Sequence, residues 1–183
     1  RFSAAIRGPR DWKSLTRVAN LIPSEFSCIN RVTYDPGKID CRDVGEEVDL
    51  DHLSFPEFCG SLAGVVVDQH HFELLQEIDA VGRDFICRQG FEKAISQTIF
   101  VLVGTYLNDT RYPSVVLRAV STEDFMTVKP VELKTNQDLS IGRFGEISWE
   151  CFLGLRECLL DQFPIDSVLY DLSEKPPATT CWE

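Results

Sequence analysis

The 183-residue chain has no apolar run near the ~20 residues that a membrane helix requires, so a membrane span is excluded. It is short of positive charge: 18 Lys and Arg stand against 29 Asp and Glu, a formal net charge of −11. A field of that sign repels phosphate polymers unless a local basic cleft overrides it, which argues against non-specific coating of DNA or RNA. No block of like charges occurs either. The acidic residues between Asp40 and Asp51 are interrupted by Cys41, Arg42, Val44, Gly45, Val48 and Leu50, the pattern of a solvated loop. The chain lacks CxxC, and with it the usual spacing of a structural zinc site. It also lacks GxGxxG and a Walker lysine, so no glycine-rich loop is present to cradle a phosphate; Ile141-Gly-Arg-Phe-Gly145 reads as a simple loop.

What is present suits one core of ordinary size. Hydrophobic residues make up 44% of the chain, enough for a single domain over 1–177 with a C-terminal tail over 178–183. Seven cysteines, an odd number scattered along apolar segments, point to reduced thiols and an intracellular protein, cytoplasmic or nuclear. The Arg-Phe-Ser start, without Met and without a charged start followed by an apolar segment, reads as that of an excised domain. The triplet Asn108-Asp-Thr110 fits a glycosylation acceptor but is common by chance.

Apolar spacing predicts an amphipathic helix from Trp12 through Leu15, Val18, Ala19 and Ile22, stopped by Pro23. A hairpin is expected next, with its turn at Asp35-Pro-Gly37 and its second strand through Ile39, Cys41 and Val44. Helical spacing recurs over Leu53–Leu62 and Phe72–Val81, and a shorter helix or irregular turn over Asp84–Ser96 is interrupted near Gly90. The most strand-like segments are Thr98–Val103 and Ser114–Val120, expected to pair antiparallel. Phe125–Lys134 leans toward strand. Ile147–Phe163 is a helix that Ser148 can cap and Pro164 ends, and a short strand follows over Asp166–Asp171. The fold class expected is α+β, with a central, mostly antiparallel sheet of five or six strands flanked by about five helices.

Trp12-x-x-Leu15 leading to Leu21-Ile-Pro-Ser-Glu-Phe-Ser-Cys-Ile-Asn30, Asp35-Pro-Gly37, Val67-Asp-Gln-His-His71, Asp84-Phe-Ile-Cys-Arg88 followed by Phe91, and Ser114-Val-Val-Leu117 with Glu123-Asp-Phe125 form a set of blocks. Together they resemble the GAF-like sensory domains of quorum-sensing-type transcription regulators. The resemblance implies a sheet with helices on one face and a ligand pocket on the other, with Cys28, Asn30 and His71 as ligand-binding residues. A small molecule or a protein would be the partner, with no cofactor.

Val131-Glu-Leu-Lys-Thr135 carries a second resemblance, to PD-(D/E)XK nucleases. On a strand, Glu132 and Lys134 lie on one face, so that the carboxylate binds a divalent metal and the lysine positions water. Glu77-Ile-Asp79 resembles the Glu-x-Asp of decapping-type exonucleases in that superfamily. With the family's standard sheet order, Asp124 rather than that motif is the expected partner carboxylate. The catalytic set implied is Glu132, Lys134, Asp124, Asp79 and Glu77, with Glu132 and Asp124 on Mg or Mn. Adjacent His70 and His71 diverge by about 100° on a helix and suit a surface better than one metal. The sequence therefore leaves three functions open: a ligand- or partner-binding sensor first, a metal-dependent nuclease of RNA or DNA second, and a non-catalytic interaction module third.

Overall fold

The computed structural model describes residues 2–37, 68–104, 112–122, 126–139, 144–175 and 178. Strand β1 (Phe2–Ile6) leads through α1 (Trp12–Glu25) into β2 (Ile29–Tyr34), which lies parallel to β1. Parallel neighbours need a crossover between them, and α1 supplies it. Asp11 caps α1 by accepting the Ser14 N–H at 2.9 Å. Pro23, expected to stop the helix, lies inside it. In the last turn a proline sacrifices only its own N–H bond, and the Phe26 N–H still reaches the Ile22 carbonyl at 2.9 Å. The helix ends instead where Phe26 becomes extended, at φ −120° and ψ 91°.

The expected hairpin partner over 39–44 and the expected helix Leu53–Leu62 lie outside the described residues. Helix α2 (Gln69–Arg88), capped by Asp68, is longer than predicted and absorbs the segment from Asp84 that had been separated from it. Ile78, Gly82 and Ile86 continue one buried stripe across that join. Gly90, at φ 77°, turns the chain, and a single 3-10 turn (Glu92–Ala94) follows.

Strands β3 (Gln97–Val103) and β4 (Ser114–Ser121) form the predicted antiparallel pair, with Phe100 opposite Leu117. Three short strands come next: β5 (Lys129–Pro130), β6 (Glu132–Lys134) and β7 (Glu146–Ser148). Helix α3 (Trp149–Gln162) starts at the predicted cap, where Ser148 Oγ accepts the Cys151 N–H at 3.0 Å. It leads to β8 (Val168–Asp171).

The result is α+β. The main sheet runs β1-β2-β8-β4-β3, with β5 on β4 beyond the stretch that β8 pairs. The β1–β2 and β4–β8 pairs are parallel, whereas β2–β8, β3–β4 and β4–β5 are antiparallel. Strands β6 and β7 form a separate parallel pair. One sheet face carries Val32, Tyr34, Val115, Leu117, Ala119, Val168 and Tyr170. These share a core with Leu15, Ala19 and Ile22 of α1, Leu74, Ile78 and Ile86 of α2, and Trp149, Phe152, Leu155 and Leu159 of α3. Alternate positions on β2, β4 and β8, including Arg31, Thr33, Val116, Arg118, Leu169 and Asp171, are also buried, so the central strands have no solvated face. No helix among the described residues is long and apolar enough to cross a membrane.

Candidate functional site

The Glu-x-Lys pair lies on β6, as its alternation predicts, but its charges are already engaged. Lys134 Nζ donates to Glu146 Oε1 at 2.8 Å and sits 3.8 Å from Glu132 Oε2. Because β7 runs parallel to β6 with Glu146 opposite Glu132, the ammonium fastens the two strands together. Glu77 and Asp79 fall in α2, where a step of two residues turns by about 200°, so their carboxylates diverge. Asp79 instead accepts from Arg83 Nε at 2.7 Å, while Arg83 Nη2 donates to the Thr98 carbonyl at 2.6 Å. Asp124 lies outside the described residues. Among the described residues there is no group of three or more His, Cys, Asp and Glu that could hold a metal ion.

The residues assigned to ligand binding do not converge. Cys28 is exposed in the turn before β2, and Asn30 is half-buried on β2. His71 is tied to the start of α2, where Asp68 Oδ1 accepts its backbone N–H at 2.9 Å and lies 2.8 Å from its Nδ1. These hydrogen bonds, the backbone one foremost, hold the Asp68 carboxyl below its ordinary value. The His70 and His71 rings meet edge to face, 5.7 Å apart.

Two charged clusters escaped the sequence reading. In the first, Arg118 of β4 and Arg31 of β2 converge on Asp171 of β8: Arg118 Nη1 donates to Asp171 Oδ2 at 2.6 Å and Arg31 Nη1 at 3.3 Å. Asp171 Oδ1 accepts the Ser173 N–H at 2.8 Å, and Ser173 Oγ in turn accepts the Val32 N–H at 2.8 Å. Strand β8 is thereby locked to both neighbours. The signal was an arginine in the otherwise apolar run Val115–Val120.

The second cluster lies at the end of the sheet where β1 and β2 finish and β8 begins. Asp35 is buried, and its Oδ2 accepts from Arg7 Nε at 2.7 Å with Arg7 Nη2 at 2.6 Å. Its Oδ1 accepts the Gly37 N–H at 3.1 Å and the Ser167 hydroxyl at 3.2 Å. Arg156 of α3 is also buried, and burial is the chief cause that lowers its pKa. Its sequence signal was a charge one turn from Phe152 on the buried stripe of α3.

The described cysteines differ in exposure. Cys28 and Cys87 are exposed, whereas Cys151, in the first turn of α3, is buried and its thiol is pushed up to about 12. Cys158 accepts from Gln162 Nε2 at 3.0 Å. Among the described residues no cysteine hydrogen-bonds to a histidine.

The fold and these sites define a mixed-sheet α+β domain, and no family model matches the chain. Curated relatives do. The chain is 32% identical over 161 residues to the GMP synthase [glutamine-hydrolyzing] of Syntrophomonas wolfei, a match covering 80% of this chain and 28% of the relative. A probable GMP synthase [glutamine-hydrolyzing] of Leptospira interrogans is 28% identical over 178 residues, 94% of this chain and 24% of that protein. The GMP synthase [glutamine-hydrolyzing] of Staphylococcus saprophyticus is 29% identical over 159 residues, 80% of this chain and 28% of its own length. The chain thus spans about a quarter of the length of these relatives.

These similarities correct the family readings made from motifs. Relatives over most of the chain carry the name of a glutamine-hydrolysing synthase, not of a GAF-like sensor or a PD-(D/E)XK nuclease. Hydrophobic rhythm and a three-residue Glu-x-Lys recur in unrelated α/β domains, which is why they misdirected the assignment.

Proposed function

We infer that the chain is part of a glutamine-hydrolysing enzyme of the GMP synthase kind, acting inside the cell on a small-molecule amide. The observation that carries this reading is the 32% identity over 80% of the chain to a protein so named. Hydrolysis of a carboxamide needs a nucleophile at the amide carbon and a proton for the departing ammonia, and a thiol meets the first need through a thioester that water then cleaves to glutamate. The reading requires no metal and no cofactor. Cys28 and Cys87 are the exposed described thiols. Buried Cys151, whose thiol is held neutral, suits the role poorly.

The test is incubation of the full chain with L-glutamine, following glutamate by coupled assay and the melting temperature in parallel. Glutamate release that iodoacetamide abolishes is the expected result. The reading is overturned if glutamine is neither hydrolysed nor stabilises the chain.

A further inference from the structure

One strand–helix–strand unit occurs twice in the fold. In the first, β1 lies parallel to β2 and α1 feeds β2; in the second, β4 lies parallel to β8 and α3 feeds β8. Helices α1 and α3 each span 14 residues from a tryptophan, and each cap, Asp11 or Ser148, accepts the N–H three residues on. Each ends on an extended phenylalanine, Phe26 or Phe163, whose N–H reaches back to the Ile22 or Leu159 carbonyl. The closing strands share Val-x-Tyr-Asp, as Val32–Asp35 and Val168–Asp171, and Tyr34 lies opposite Ile6 as Tyr170 lies opposite Leu117. After each of those apolar residues comes an arginine that donates to the aspartate: Arg7 Nε to Asp35 Oδ2 at 2.7 Å, and Arg118 Nη1 to Asp171 Oδ2 at 2.6 Å. Each aspartate also accepts the N–H two residues on, from Gly37 or Ser173.

Contacts between the units are reciprocal. Trp12 meets Tyr170 edge to face with ring centroids 6.1 Å apart, and Trp149 meets Tyr34 at 5.7 Å, with the planes at 75° and 74°. Arg31, the residue before Val32, donates to Asp171 of the other unit, and Ser167, the residue before Val168, donates to Asp35. At the seam, β2 runs antiparallel to β8 with Tyr34 directly opposite Tyr170, its own counterpart. An approximate twofold axis through that tyrosine pair relates all of these contacts, as in an isologous interface where residue i meets j and j meets i. We propose that the β2–β8 seam is a dimer interface enclosed in one polypeptide, with β1-α1-β2 standing where a second copy of β4-α3-β8 would stand. The edge of β8 is therefore complementary to itself, and its partner, once β2 is displaced, is β8 of a second copy of this chain. This concerns assembly and stands independently of glutamine hydrolysis.

The test uses the full chain carrying Val32→Pro. Val32 is buried in β2, and its N–H donates to Ser173 Oγ at 2.8 Å on the β8 side. Proline removes that donor and interrupts the strand, so that β8 loses its neighbour. Light scattering after size exclusion should then show a discrete species of twice the parent's mass, because a twofold interface closes on itself at two copies. A folded variant of parental mass, or open-ended aggregation of a folded variant, overturns the proposal. A second measurement keeps the strands intact: double-mutant cycles in urea pair Trp12→Leu with Tyr170→Leu, and Trp149→Leu with Tyr34→Leu. The two coupling factors should agree within about threefold, since counterpart contacts share one geometry. If Val32→Pro fails to fold, these cycles decide alone, and coupling in one pair without coupling in its counterpart refutes the shared axis.

Discussion

Arg118 in the middle of β4 and Asp171 at the end of β8 meet with 2.6 Å between Nη1 and Oδ2, and neither side chain has any exposure. A charge pair so deeply buried is costly to break from one side, because the remaining ion stays in a medium that does not solvate it. Asp171→Asn leaves two arginines facing a neutral amide and should cost about 3–5 kcal/mol in urea unfolding. A loss below about 1 kcal/mol would show that Asp171 is not holding the strands.

Gly82 of α2 lies against the Phe100 ring of β3, and a Cβ at that position would stand 2.8 Å from Cε2 and 2.9 Å from Cε1. Alanine is favoured over glycine in a helix by about 1 kcal/mol, but overpacking a core costs about 1–3 kcal/mol. The clash should win, so that Gly82→Ala is destabilising by about 1–2 kcal/mol. Combined with Phe100→Leu, it should cost less than the sum of the two single changes. Additive losses in the double-mutant cycle would rule out the contact.

Ser148 joins β7 to α3 and accepts the Cys151 N–H. Ser148→Ala leaves that donor without its partner in a buried first turn and should lower stability by about 1 kcal/mol. Ser148→Thr, which keeps the hydroxyl, should recover most of the loss in chemical denaturation. Equal midpoints for Ala and Thr would dismiss the cap.

The Cys151 thiol, raised by burial from 9.0 to about 12, sets a pH dependence. Folded thiol stays neutral where the unfolded chain already ionises, so this contribution is fully present below pH 9 and is lost as pH rises toward about 12. Tyr170, raised well above its ordinary value chiefly by burial, acts in the same sense at still higher pH. Stability should fall above pH 9, less steeply in Cys151→Ala. At pH 8, iodoacetamide should modify Cys28 and Cys87 first and Cys151 only on unfolding. Alkylation of folded Cys151 at the rate of the exposed thiols would contradict its burial.

The elements foreseen correctly rest on short-range chemistry. The β3–β4 pair follows from two apolar, β-branched segments joined across a polar turn, and α3 from a 3.6-residue stripe between a serine cap and a proline. Strand β1 went unseen because Phe2–Ile6 is short and pairs in parallel with a strand on the far side of α1. Pro23 misled because its penalty falls with position in the helix, and its last turn had little left to lose. For the site, spacing correctly aligned Glu132 with Lys134 but could not disclose that Glu146 would take the ammonium. Glu77 and Asp79 share a face only on a strand, and their segment is helical.

From sequence alone came the α+β class, the helical stripes and the cap of α3, since these depend on neighbours within a few residues. Tertiary structure alone decided that β8 would lie between β2 and β4, that Arg31 would meet Asp171 across 140 positions, and that Arg7 would pair with Asp35 at one end of the sheet. Local periodicity records which side of an element is apolar. Which distant charge ends up beside it is set by the order of strands, and that order follows from burying all the apolar faces at once.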